Sequence, residues 1–313
     1  MREELIISGR MNHLVDPNLN IWHWQIPLYL FLGGIAAGIL FFAALYFILG
    51  REDKYPAAIK WAPMITPLLL IAGLGALFLD LNHKAWFWQL YLAIRLESPM
   101  SWGAWTLMVI TPLSFIWSAT WLKEVIPGWK WRYAFLEEWD RFFTRHRYIL
   151  AWIMLIYAVI LGVYTGILLS AFNARPLWNS SILGPLFFTS SLSTGAAVIM
   201  LMAKSHLERT IFSRIDLIMI AIELFLIIHM FMGFRASTQV QIEAANLFLG
   251  GPYTEMFWIF VVGLGLLVPA FLEVLELFGK KVPAVITSVL ILTGGLFLRF
   301  IIVYAGQASR YLY

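Results

Sequence analysis

Cysteine is absent from all 313 residues, which excludes from this chain a cysteine-ligated iron–sulfur cluster, a disulfide and a thiol nucleophile. Any such redox centre has to sit on a partner. Charge is scarce as well: Asp, Glu, Lys and Arg make up 13% of the sequence against 61% for the hydrophobic residues, far outside the range of soluble domains. The composition is that of a polytopic membrane protein. The first twenty residues lack the apolar core of a secretory signal and carry Asp16, Pro17 and Asn18 instead, so insertion is expected to rely on the first membrane helix. Long polar stretches are missing too, and no soluble domain is expected.

What is present is a series of apolar windows of the length that crosses a hydrocarbon core of about 30 Å. Eight are found, near 24–49, 61–80, 102–123, 148–170, 182–203, 211–233, 255–278 and 283–305. An even number puts both termini on one side. The connections after helices one, three, five and seven hold most of the basic residues, among them Arg51, Lys60, Arg132, Arg147, Arg209 and Lys280. By the positive-inside rule these loops are cytoplasmic and both termini face outward. Segment 81–101 is aromatic with few charges and suits a helix lying in the interface, flooring or roofing a pocket. Segment 124–147 reads as a surface connector anchored by Trp and Arg, and 234–254 as a polar cap or partner-facing loop.

Ionisable groups within membrane spans are costly unless paired, hydrated or at the ends, so each is a functional candidate. Helix one opens on Trp22-His23-Trp24-Gln25, with Tyr29 on the same face as Gln25, four residues on. Its Gly34 and Gly38 form a GxxxG that lets a neighbour approach closely. Asp80 and His83 stand at the outer end of helix two, and Ser98, Ser101, Trp102 and Trp105 at the outer end of helix three. Tyr164 lies about 9 Å deep from the outer end of helix four, at the rise of an α-helix. Taken singly, the tyrosines suit an aromatic belt and Asp80 a solvated helix end. Their common level in the first four helices points instead to a quinone. Its flat ring stacks on aromatic or aliphatic walls, its two carbonyl oxygens need donors, and two protons exchange per two electrons. A Tyr or His can donate to an oxygen while Asp80 relays protons to water.

A second group lies in the later helices: Asp216 and Glu223, seven apart on one face of helix six, His229 nearer the outer side, and Arg299 in helix eight. Two readings stand, buried structural pairs such as Arg299 with Glu223, or part of a proton path. Glu273 and Glu276 with Lys280 and Lys281 read as helix-end charge pairs at four-residue spacing. His23, His83 and His229 permit a haem hypothesis, but no two histidines sit well inside facing spans. The expectation is no haem, iron–sulfur cluster or metal on this chain.

The pattern resembles the NrfD-like family, the membrane subunits of polysulfide-reductase-type complexes. The resemblance rests on Trp22–Gly38; on Asp80-Leu81 followed by Glu97-Ser98-Pro99-Met100-Ser101-Trp102-Gly103-Ala104-Trp105; on Tyr164–Ser170 leading to Arg175–Asn179; and on Gly295–Arg299 through Ala305–Gln307. It implies an all-α integral membrane protein of eight transmembrane helices in two four-helix bundles, here 24–170 and 171–313, after an outer segment 1–23. It also implies a prokaryotic cytoplasmic membrane, menaquinone or ubiquinone reacting near the outer surface, and a ferredoxin-like iron–sulfur partner, with a molybdopterin enzyme or multihaem cytochrome beyond. By motif position the tyrosine that holds the head group is Tyr164, and Gln25 and Tyr29 stand where the family pattern has Asn and His. The second-bundle acids and Arg299 look like the group proposed as a proton route.

The expected function is therefore a quinone- or quinol-reactive membrane anchor subunit of a respiratory oxidoreductase, inactive by itself with a soluble donor. A secondary transporter would share the mid-membrane charges and glycines, although no persuasive repeat is visible. A purely structural anchor is the third reading.

Overall fold

The computed structural model describes residues 21–280 and 282–310. Most of the expected outer segment 1–23, and Lys281, lie outside the described residues. Eight helices are long and apolar enough to cross a membrane: α1 Gln25–Ile48, α2 Ala57–Asp80, α3 Pro99–Val125, α4 Arg147–Ser170, α5 Leu183–Met202, α6 His206–Arg235, α7 Met256–Leu277 and α8 Ala284–Ala308. Each matches one of the expected windows. The largest departure is at the start of α6, where polar residues kept 206–210 out of an apolar window. Those residues are helical because the fold uses them: the Glu208 carboxylate is fully buried and accepts a hydrogen bond at 2.9 Å from the backbone N–H of Ala58. It caps, from another helix, the start of α2 and its otherwise orphaned amide groups.

α1 and α5 form the centre of the molecule. α1 packs on α2, α4, α5 and α8, and α5 on α1, α4, α6 and α8. The two central helices cross where Gly38 meets Gly195. A Cβ added at Gly38 would lie 2.0 Å from the Ser191 carbonyl oxygen, and one at Gly195 2.6 Å from the Gly38 carbonyl carbon. Only hydrogen side chains allow this approach, the contact that GxxxG spacing anticipates. The remaining helices pack around this pair, α3 on α2 and α4, and α7 mainly on α8.

The two ends of the molecule are built differently. At one end the Gln307 side chain clamps the first described residues, accepting from Trp22 N–H and donating to Trp22 C=O, both at 2.8 Å. Arg175, between α4 and α5, donates to the carbonyls of Gln307 and Ser309. This is the terminal face. At the other end, the basic face, Lys60 pairs with Glu124 at 2.8 Å and Lys123 with Asp140 at 2.8 Å. Arg147 lies over the Trp121 ring at 3.6 Å, and Lys204 over Trp61 at 4.4 Å. Asp140 belongs to the amphipathic surface helix Ala134–Arg145, which occupies the connector read as surface-lying.

Candidate functional site

The site begins with the run Ser98-Pro99-Met100-Ser101-Trp102-Gly103. Ser98 takes an extended backbone just before α3, and Pro99, which has no N–H to leave unpaired, opens the helix. Ser101 Oγ donates to the Ala93 carbonyl at 3.2 Å, and Trp102 Nε1 donates to the Leu96 carbonyl at 2.9 Å. These bonds tie the incoming segment to the top of α3. Within that segment Gln89–Leu92 forms one helical turn, and its Leu90 and Tyr91 close one side of a cavity. Gly103 supplies the last piece. A Cβ there would stand 1.9 Å from Cζ of Tyr164, so the phenol ring rests directly against the α3 backbone.

The cavity, about 190 Å³, opens between α1, α2, α3 and α4 near the terminal face. Tyr29, Asp80, Tyr91 and Tyr164 provide its polar groups, and Trp22, Ile26, Leu77, Met100 and Leu107 are among its apolar walls. Tyr29 and Tyr164 are both buried and line it from α1 and α4. Partial burial raises the Tyr91 phenol above its ordinary value, so this group stays a neutral donor. Asp80 Oδ1 lies 3.9 Å from Nδ1 of His23, a mostly exposed side chain. One water or a small ring rotation spans that gap. Buried hydroxyls, a carboxylate at the rim and an exposed imidazole beyond it can bind a carbonyl-bearing ring and move protons between it and the surface.

Not every residue singled out in the sequence reaches this cavity. Asp80, Tyr29 and Tyr164 line it, and His23 joins through Asp80. Gln25 is half-buried with an unpartnered Oε1 and does not line the cavity. His83 and Ser98 line a separate shallow cleft with Arg95. Trp102 flanks a groove on the outside of α3 and α4, and Trp105 packs edge-on against it. Tyr91, Trp22 and Met100 were missed as lining residues, because nothing local distinguishes them from interfacial aromatics and core.

A second polar group crosses the later helices. Arg299 is fully buried; Nη1 donates to Ser190 Oγ at 2.6 Å and Gly295 C=O at 3.1 Å, and Nη2 to Ser191 Oγ at 3.2 Å and Phe187 C=O at 3.3 Å. Glu223 lies nearby, within the field of Arg299 and in reach of Ser190, but no ion pair within 4 Å closes between acid and guanidinium. Nearer the basic face Asp216 meets Glu273, both fully buried, with no conventional hydrogen-bond partner for any of their carboxylate oxygens. Here the helix-end reading of Glu273 is corrected. α7 turns that side chain inward against α6, and among the described residues no ion pair joins Glu273 or Glu276 to Lys280. His229 also departs from the group, since it is exposed on the flank of α6 with its ring stacked on Phe225 at an interplanar angle of 7°. Among the described residues, no three His, Asp or Glu side chains converge as a metal-ligating set.

Comparison with known proteins gives the family. The chain is 32% identical to Protein NrfD of Escherichia coli over 306 residues, covering 92% of this chain and 96% of that protein. It is 30% identical to the C polypeptide of polysulfide reductase from Wolinella succinogenes over 304 residues, 93% and 95% of the two proteins. A more distant match, 27% identical over 207 residues, joins 65% of this chain to 55% of the C polypeptide of tetrathionate reductase from Salmonella typhimurium. The family model described as "Polysulphide reductase, NrfD" matches residues 12–309, nearly the whole length, and the chain belongs to the NrfD family.

Proposed function

We propose that this protein is the quinone- or quinol-reactive membrane subunit of a reductase complex. The observation that carries the reading is the convergence of Tyr29, Tyr164 and Asp80 on one cavity whose other walls are mainly apolar. The residues suit a quinone head group: two buried hydroxyls can donate to carbonyl oxygens, and Trp22, Ile26 and Leu77 give apolar walls, with Asp80 the one carboxylate in the lining. Bound there, menaquinone or ubiquinone supplies two-electron, two-proton chemistry. Tyr164 and Tyr29 orient the ring by hydrogen bonding. Asp80 holds or accepts the proton at the rim, and His23 passes it to solvent as a general acid–base relay.

The basic face is cytoplasmic in this reading and the terminal face periplasmic or extracellular, in agreement with the charge bias. The halves 24–170 and 171–313 form two four-helix bundles in a prokaryotic cytoplasmic membrane. With no cysteine in the sequence, the electrons pass to or from a ferredoxin-like iron–sulfur partner docked on the terminal face, with a molybdopterin enzyme or multihaem cytochrome beyond. Relatives named as components of polysulfide reductase and tetrathionate reductase support a place within such a complex. The buried acids favour a further role in proton conduction, by a route entering at Glu273 and Asp216 and reaching Glu223 and Arg299. His229, exposed on the flank of α6, is left out of it.

The test is quinol-linked turnover of the assembled complex. Asp80→Asn and Tyr164→Phe are expected to lower turnover while assembly, followed by native gel, stays intact. Normal turnover in both variants overturns the site.

A further inference from the structure

The surface helix Ala134–Arg145 connects α3, which ends at Val125, to α4, which begins at Arg147. Both spans leave the membrane at these points, so the helix between them is held at the level of the basic face. Its rotation is fixed from α3. Lys123 Nζ reaches Glu137 at 3.0 Å and Asp140 at 2.8 Å, and Asp140 is buried against the protein.

With that side turned inward, Phe135, Trp139 and Phe142 are left on the outside. Each is more than half exposed, and at spacings of four and three they form one stripe along the helix. Exposed apolar side chains inside a span face lipid and need no further account. These lie outside the spans, where an aromatic stripe left in water is costly. Arg141 and Arg145, four apart, form a second exposed stripe about a third of a turn from the first. Neither has an acid within 4 Å among the described residues, and the same holds for exposed Lys130 in the approach to the helix. Because Lys123 occupies Glu137 and Asp140, Glu138 is the one acid of the helix left outside an ion pair.

We propose that this helix is a binding surface for anionic phospholipid, with Phe135, Trp139 and Phe142 set into the acyl boundary and Arg141, Arg145 and Lys130 meeting headgroup phosphates. A helix divided into an apolar and a basic stripe lies in the interface plane in this way, with its tryptophan at the headgroup level. Two observations favour lipid as the occupant: the flanking span ends place the stripe at the membrane surface, and the free charges are almost all cationic. Lipid then holds the α3–α4 connection from outside as Lys123 holds it from inside. The proposal stands apart from the quinone reading and needs only the placement of the spans.

The test uses the full-length protein in nanodiscs of phosphatidylcholine mixed with phosphatidylglycerol, with retained lipid counted by native mass spectrometry. The wild type is expected to retain phosphatidylglycerol preferentially. A basic residue near an anionic surface is worth about fivefold in partition, so Arg141→Gln combined with Arg145→Gln is expected to lower that preference about fivefold or more. Arg51→Gln combined with Lys54→Gln removes the same charge from the exposed α1–α2 loop and is expected to leave the preference in place. The chain has no cysteine, so Trp139→Cys accepts a single spin label, which is expected to collide more with oxygen than with a water-soluble nickel chelate. An unchanged preference in the Arg141/Arg145 variant, or an equal loss in both double variants, overturns the lipid site. A label open to the nickel chelate places the stripe in water, which also overturns it and leaves the face to a protein partner.

Discussion

The cavity among α1 to α4 and the buried cluster among α5 to α8 solve the problem of polarity in a membrane in opposite ways. The cavity relies on hydroxyls, Tyr29 and Tyr164, and keeps its one acid, Asp80, at the rim beside an exposed histidine. Neutral donors cost less to bury than charges and can still bind a guest. The cluster buries Asp216, Glu223, Glu273 and Arg299 outright, and Arg299 commits four hydrogen bonds to serine hydroxyls and backbone carbonyls. Charge at that depth has to be compensated by the protein itself. The first region, in the proposed reading, receives a ligand. The second buries its ionisable groups within the protein.

The largest expected effect follows from removing that compensation. Arg299→Met leaves Glu223 without its cation and Ser190 and Ser191 without their donor, and is expected to cost about 3–5 kcal/mol, read as a fall in thermal unfolding temperature in detergent. Loss of stability from Tyr164→Phe of comparable size would break the contrast between the regions. Gly103→Ala comes next. Its new methyl collides with the Tyr164 ring, at a cost of about 1–3 kcal/mol, and is expected to weaken binding of a quinol analogue about tenfold while the helices remain folded by circular dichroism. Gly33→Ala is the control, because a Cβ at Gly33 meets nothing within 4 Å. Glu273→Gln replaces a buried carboxyl that makes no conventional hydrogen bond, so stability is expected to change by less than about 1 kcal/mol or to rise. Proton uptake by proteoliposomes containing the complex should slow; unchanged uptake would confine Glu273 to structure. The smallest effect is expected for His23→Ala, a few-fold loss of turnover at most, because the Asp80 rim remains beside water.

All eight spans were legible in the sequence, because some twenty apolar residues in a row have few other uses. The level at which Asp80, Tyr29 and Tyr164 meet was legible too, since counting residues from a helix end gives depth. Rotation about each helix axis was harder to read. Spans apolar on every side give no amphipathic signal for which way Gln25, Trp102 or His229 points, and the fold turns these toward different surroundings. Glu273 illustrates the same limit in reverse. Its spacing to Lys280 and Lys281 suggested a solvated helix end, yet packing of α7 against α6 directs it inward to Asp216, a residue 57 positions earlier in the chain. Glu208 was invisible as a cap for the same reason, because its partner Ala58 lies on another helix.

The central claim is that the cavity beside Tyr164 binds a quinone head group, and its most direct test is a titration of the purified, folded protein with a fluorescent hydroxyquinoline N-oxide. The account predicts saturable quenching at one site per molecule, weakened in both Tyr164→Phe and Asp80→Asn and unaltered in Gly33→Ala. Saturable quenching of equal strength in all four proteins, or none in the folded wild type, would contradict it.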